Sequence, residues 1–465
     1  MKTIRLFLAS ALVLTASALR AAAPTVTDYT FVQCEGSLTP YPSATRAEAV
    51  YPDSLTPVFV NHVGRHGARY PASSANNLTL KKALDRAAEA GTITPLGRKL
   101  AELNDRIIAL CTDRWGALDS LGMAEQAGIA TRMFYNYTEA FAKGTTVSAI
   151  SSYSPRAMMS MFSFTHQLDR LNNQMTISTV TGSVNNRLMR PFDVDKDYLQ
   201  FRADKVWKPA YDEYFDAVCP TAAIRRVLGE KFPFADIHEE RNLAITEYYV
   251  LAGLEAMSLP NTMSDYLSRQ EANALWSCFN LRQYLQRTAT TVSAVPADIA
   301  ADLVLDIIQT TDDFVSGQNT TTTAVLRFGH AETLMPLLSL LRIPGCYYLT
   351  NYFDTVAQHW CDFDVVPMAA NIQFVLFRAK ASGRYYVEVR VNEHPVALRK
   401  GDDSTIYPWG ELRRYLMNYV PLYAQWRPGF SGLFGPENGE RAAEPRGNEK
   451  PHTERPLRGV WGSTE

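Results

Sequence analysis

Three times in this chain a short β-prone run stops at a tight polar junction and helix-forming sequence follows at once. Residues 58–63 ("VFVNHV") run into Gly64-Arg65-His66-Gly67, with helical sequence from about Leu78. A second run, "TVSAIS", leads through Ser154-Pro155-Arg156 into "AMMSMFSF". A third, residues 324–328, meets Gly329-His330, and a helix starts near Ala331-Glu332. Short apolar runs bounded by turn residues suit buried strands, and repeated strand-to-helix junctions imply an α/β sheet. Polar residues at such junctions converge on the crevice where open α/β sheets bind ligands. The helix N-termini there offer unpaired backbone N–H groups to an anion.

The rest of the 465-residue chain frames that sheet. "FVLFRAK" and "RYYVEVRVN" alternate apolar and polar residues and suit an antiparallel hairpin around Ser382-Gly383. Residues 190–310 lack strand signals and form a helical domain inserted between two parts of an α/β domain, residues 24–189 and 311–435. The helix expected over residues 122–141 carries Met123, Ala127, Ala130, Phe134, Tyr137 and Phe141 as its core stripe. Residues 1–23 have the form of a secretory signal peptide: Lys2 and Arg5, an apolar run, then small residues. Export to a periplasm or out of the cell is therefore expected. No later run is long enough to span a membrane. Residues 436–465 turn polar and charged and are expected to be a disordered tail.

The formal charge of −2 excludes the basic domain of a nucleic-acid binder, so any anionic ligand must meet a local basic site. The junctions supply one. Arg65, Arg69 and Arg156 are three planar forks, and three forks on one anion favour phosphate over carboxylate. His62 and His66 share an i, i+4 spacing, but the adjacent arginines repel a cation, so buried strand packing suits His62 and no metal is expected. His166, His238, His359 and His394 lie in contexts that suit structural or surface roles. Six cysteines remain after the leader; Cys346 and Cys361 are one plausible pair, and free buried thiols are the alternative.

"RHGARYP" resembles the signature of the histidine acid phosphatases, the branch of the histidine phosphatase superfamily that includes phytases. Chance would place such a motif in roughly one chain in 10⁴. "GHAET" resembles the His-Ala-Glu motif of the multiple inositol polyphosphate phosphatases, and "GMAEQAGIATRMF", "SPRAMMSM", "PMAANI" and "VNEHPV" extend the likeness over most of residues 55–400. The resemblance implies a mixed central sheet flanked by helices, the inserted helical domain, and a substrate held between them. It implies stepwise removal of phosphate from phytate and lower inositol polyphosphates, without a cofactor. His66 would attack phosphorus, and Arg65, Arg69, Arg156 and His330 would hold the phosphate. Glu332 could merely favour its helix N-terminus; the resemblance makes it the acid that protonates the leaving oxygen, which requires it to start protonated. Of the basic run that opens the helical insert, Arg187, Arg190 and Lys205 are candidate substrate contacts, against a solvated, salt-bridged face as the plain alternative. A phosphatase of small monoesters and a catalytically silent inositol-phosphate binder are the competing functions.

Overall fold

The computed structural model describes residues 27–42, 49–399 and 401–425; the expected signal peptide and tail lie outside them. Eight strands form one mixed sheet: β1 (Leu55–Arg65), β2 (Thr146–Ser151), β3 (Thr176–Val180), β4 (Thr322–Gly329), β5 (Asn371–Ala379), β6 (Tyr385–Val391), β7 (His394–Pro395) and β8 (Ile406–Pro408). Their order is β3-β2-β4-β1-β5-β6-β7, with β8 on β6. The β3-β2-β4-β1 half is parallel and the β1-β5-β6 half antiparallel. A tight turn joins the antiparallel neighbours β5 and β6, whereas parallel neighbours need longer crossover connections. The expected hairpin is β5–β6, with Gly383 at φ +70 in its turn.

Alternation along β1 feeds two cores. Phe59 and Val63 face a cluster with the helices Ala301–Ser316 and Ala331–Leu340. Val60 faces the other way, onto the helices Ser120–Asn136 and Pro155–Leu171 through Met133, Phe164 and Phe328. His62 lies in this second layer, 1 % exposed, between the rings of Phe164 and Phe328, so it packs in the strand as expected. His166, His238, His359 and His394 are exposed.

Residues 181–321 contain no strand. A third core joins the helices Ile237–Ala252 and Arg269–Arg287 to Ala75–Glu89 and Pro95–Cys111, so the helical layer draws on the chain both before and after β2. Among the described residues no helix is long and apolar enough to cross a membrane. All six cysteines are buried free thiols. Cys346 and Cys361 belong to different core clusters, which is why their closeness in sequence does not pair them.

The helix Ser120–Asn136 bears out part of the expected stripe, with Ala130 buried in it and Tyr137 and Phe141 buried just beyond its end, and corrects the rest. Met123 is 37 % exposed, and the buried face runs through Gly122, Glu125, Gln126, Ile129, Ala130 and Met133. Two polar side chains take the inward positions because backbone groups of the loop after β1 have no other partners there.

Candidate active site

Strands β2, β4 and β1 lie side by side and parallel, with Ser151 opposite Phe328 and Arg65 opposite Gly329. Their carboxyl ends therefore bring the three junctions together. The loop after β1 is pinned by its own backbone: Arg65 N–H donates to the Ala370 carbonyl (2.8 Å) and His66 N–H to the Gly329 carbonyl (3.1 Å). The neighbouring helix completes the scaffold. Gln126 Nε2 donates to the Arg65 carbonyl (2.9 Å), while the Glu125 carboxyl accepts from Ala68 N–H (2.7 Å) and Tyr41 N–H (2.6 Å). Ser160 Oγ, from the helix Pro155–Leu171, accepts from Gly67 N–H at 3.1 Å.

The glycines of this loop serve close approach. Neither Gly64 nor Gly67 has a positive φ. A Cβ on Gly67 would stand 2.4 Å from the Gly122 carbonyl oxygen, and one on Gly122 would stand 2.2 Å from the Ala68 oxygen. Two glycines facing each other let loop and helix touch backbone to backbone.

That scaffold presents His66, which is only 3 % exposed. Its Nδ1 lies 2.9 Å from the Gly67 carbonyl. A carbonyl can only accept, so the proton sits on Nδ1 and the Nε2 lone pair is left for chemistry. Burial first, then Arg65, Arg156 and Arg69, holds the imidazole well below its ordinary pKa and so neutral.

The cations surround it. Arg65 Nη1 donates to the carbonyls of Ser37 and Val366, each at 2.5 Å, and Arg69 Nη1 to that of Tyr70 at 2.8 Å. Among the described residues the Nε–H groups of Arg65, Arg69 and Arg156 are buried without an acceptor. Burial and then mutual repulsion by Arg156 and Arg65 push down the pKa of Arg69. Unmatched buried donors of like charge are costly, and an oxyanion among them relieves both penalties.

His330 caps the helix that follows β4, its N–H donating to Thr333 Oγ1 at 3.0 Å. Its ring centroid lies 5.5 Å from that of His66. His330 Nε2 stands 2.9 Å from both Ser152 Oγ and Arg190 Nη1. A guanidinium only donates, so Nε2 accepts and the proton belongs on Nδ1. Arg190 is thereby part of the cluster, with its guanidinium 4.8 Å from the ring centroids of both Tyr153 and Phe192 and bonded to Asp193. The other two candidates of the basic run lie apart. Arg187, 59 % exposed, is ion-paired with Asp302, and Lys205 is exposed at the end of the helix Lys196–Asp204.

Glu332 stands in the first turn of its helix, 31 % exposed, and accepts a hydrogen bond from Arg287 Nη2 at 3.0 Å. Burial alone would raise its pKa, but Arg287 first, with its own N–H and Arg65, outweighs this and holds the carboxyl well below the usual carboxylate range. The site thus keeps Glu332 ionised before substrate arrives, contrary to the expectation that it starts protonated. An arriving phosphate neutralises the same cations, and the carboxylate regains its affinity for a proton.

Sequence reasoning missed Arg287, Ser152, Glu125 and Gln126. The last two left a signal, a Glu-Gln pair on the same helix face as Ile129 and Met133. Arg287 left none, since it sits 45 residues before the carboxylate it holds.

Comparison with known proteins identifies the family of the chain. The family model described as the histidine phosphatase superfamily, branch 2, matches residues 58–392. A multiple inositol polyphosphate phosphatase 1 of Gallus gallus is 24 % identical over 409 residues, 82 % of this chain and 84 % of the relative. Among solved structures, a Bifidobacterium longum multiple inositol polyphosphate phosphatase in complex with inositol hexasulfate has a TM-score of 0.70 at 20 % identity, covering 84 % of this chain and 99 % of its own. The phytase of D. castellii has a TM-score of 0.64 at 16 % identity, covering 84 % and 86 %.

Proposed function

The chain belongs to branch 2 of the histidine phosphatase superfamily, and from that premise we propose that it removes phosphates stepwise from inositol hexakisphosphate and lower inositol polyphosphates. The observation that carries this is a neutral His66 with Nε2 free, ringed by buried arginine donors that lack acceptors.

His66 Nε2 attacks phosphorus, forming the N–P bond as the bond to the inositol oxygen breaks. Arg65, Arg69, Arg156 and Arg190 take up the charge spread over the equatorial oxygens of a loose transition state. Glu332, protonated once the phosphate has offset its cationic surroundings, gives its proton to the leaving oxygen. The carboxylate then takes a proton from water, whose oxygen attacks the phosphohistidine; phosphate leaves and neutral His66 is restored. The protein works outside the cytoplasm, as the leader-like residues 1–23 suggest. N-terminal sequencing of protein from the periplasmic or culture fraction tests this, and an uncleaved Met1 would refute it.

One observation favours a broader phosphatase of small monoesters: with Arg187 and Lys205 outside the cluster, few cations remain for the outer phosphates of a hexakisphosphate. The deciding experiment measures phosphate release from inositol hexakisphosphate in EDTA at acidic pH, for wild type and His66→Ala, with a rapid alkaline quench to trap phosphoprotein. Activity with an acid-labile phosphohistidine, both absent in the variant, is expected. Cleavage of p-nitrophenyl phosphate alone would overturn the substrate, and cleavage of neither would overturn the enzyme.

A further inference from the structure

We propose that Arg287 is the positioning residue of the proton donor: it holds the Glu332 carboxylate at the end of a hydrogen-bonded relay that also supports Arg65. This rests on the phosphatase reading above.

Arg287 ends the helix Arg269–Arg287. Its guanidinium is fixed at two points. Nε donates to Gln283 Oε1, one turn earlier, at 2.8 Å, and Nη2 to Glu332 Oε1 at 3.0 Å. Gln283 Nε2 in turn reaches Ser37 Oγ at 3.4 Å, and the Ser37 carbonyl accepts from Arg65 Nη1 at 2.5 Å. A single run of contacts therefore links the acid to an arginine beside the nucleophile. With its side chain 15 % exposed, Arg287 is poorly screened by solvent.

Other charges also face Glu332: Arg65 from the end of β1, and Arg69 and Arg156 from the loop after β1 and the junction after β2, while His330 at the start of its own helix is held neutral. A bound phosphate offsets those three, because they form its pocket. Arg287 is bonded to the carboxylate itself and remains as its counter-charge during turnover. It therefore sets both where the acid points and over what pH range it carries its proton.

An opposite charge at this distance lowers a carboxyl pKa by roughly one to three units. Replacing Arg287 with a neutral residue raises the Glu332 pKa, the acid form persists to higher pH, and the alkaline limb of kcat moves toward alkaline pH. The test compares wild type, Arg287→Gln and Arg287→Lys on two monoesters. Glycerol 2-phosphate has an alkoxide leaving group that needs a proton, and p-nitrophenyl phosphate has one that does not. In Arg287→Gln the limb for glycerol 2-phosphate is expected to move up by about one unit or more. Arg287→Lys should stay near wild type, and p-nitrophenyl phosphate should respond little. A limb that stays in place, or moves equally on both substrates, overturns the inference. Should Arg287→Gln not fold, Gln283→Leu decides by releasing Arg287 Nε. A severalfold loss confined to glycerol 2-phosphate supports the relay, and no loss or equal loss on both substrates overturns it. A wild type inert on every monoester sinks the phosphatase reading, whereas an active wild type with an unmoved limb in Arg287→Gln sinks only the role of Arg287.

Discussion

Replacing Gly67 with alanine adds one carbon at the tightest point of the site. That carbon would stand 2.4, 2.6 and 2.7 Å from the oxygen, Cα and carbonyl carbon of Gly122, where ordinary contact begins near 3.4 Å. All three neighbours are backbone, so no side chain can swing aside. Loop and helix must part by about 1 Å, an overpacking cost of roughly 1–3 kcal/mol. The shift also pulls Gln126 and Glu125 from the Arg65 carbonyl and the Ala68 N–H that they hold. A displacement of about 1 Å at a reacting group can cost on the order of 100-fold in rate. Gly67→Ala is therefore expected to fold, melt a few degrees lower, and lose about 100-fold in kcat on inositol hexakisphosphate. Gly122→Ala, whose Cβ would meet the Ala68 oxygen at 2.2 Å, should behave alike. Gly410→Ala, with nothing within 4 Å, is the control. Thermal melts beside steady-state kinetics read both quantities, and wild-type kcat in a folded Gly67→Ala protein would refute the close-packing argument.

Two further substitutions probe other parts of the site. Arg190→Ala removes the donor to His330 and one cation, a charge-assisted contact whose loss costs about 10- to 100-fold in kcat/KM; Arg187→Ala, which breaks only the exposed pair with Asp302, should stay within about threefold. Equal losses in the two variants would refute their placement. His62 has both ring nitrogens buried without partners, and burial, helped by Arg327, lowers its pKa to about 3. Its folded pKa lies below the unfolded value of about 6.5, so its contribution is intact above pH 6.5 and is lost progressively as pH falls from there toward 3. His62→Leu removes that loss, and denaturant melts should find the variant gaining about 3 kcal/mol on wild type between pH 7.5 and pH 4.5. An unchanged difference at the two pH values would mean that His62 is not buried neutral.

Arg65, His66, Arg69, Arg156, His330 and Glu332 were legible in the sequence because each sits where a strand signal stops and a helix signal starts. Strand order did the rest: once β1, β4 and β2 are parallel neighbours, these ends must meet. The hairpin β5–β6 was legible from its alternation and Gly383 for the same local reason. Periodicity found only part of the buried face of the helix Ser120–Asn136. It counts apolar side chains, whereas the inward face there was assigned by backbone groups of a distant loop that needed Glu125 and Gln126. Arg187 and Arg190 look alike in sequence, three residues apart; one turned to Asp302 and the other to His330. The protonation of Glu332 was likewise beyond the sequence, since the cation that decides it arrives from the end of another helix. The chemical groups and their meeting place follow from local pattern, because strand ends and helix starts are local events. Their partners, orientation and charge state are long-range contacts, and only the packed chain decided those.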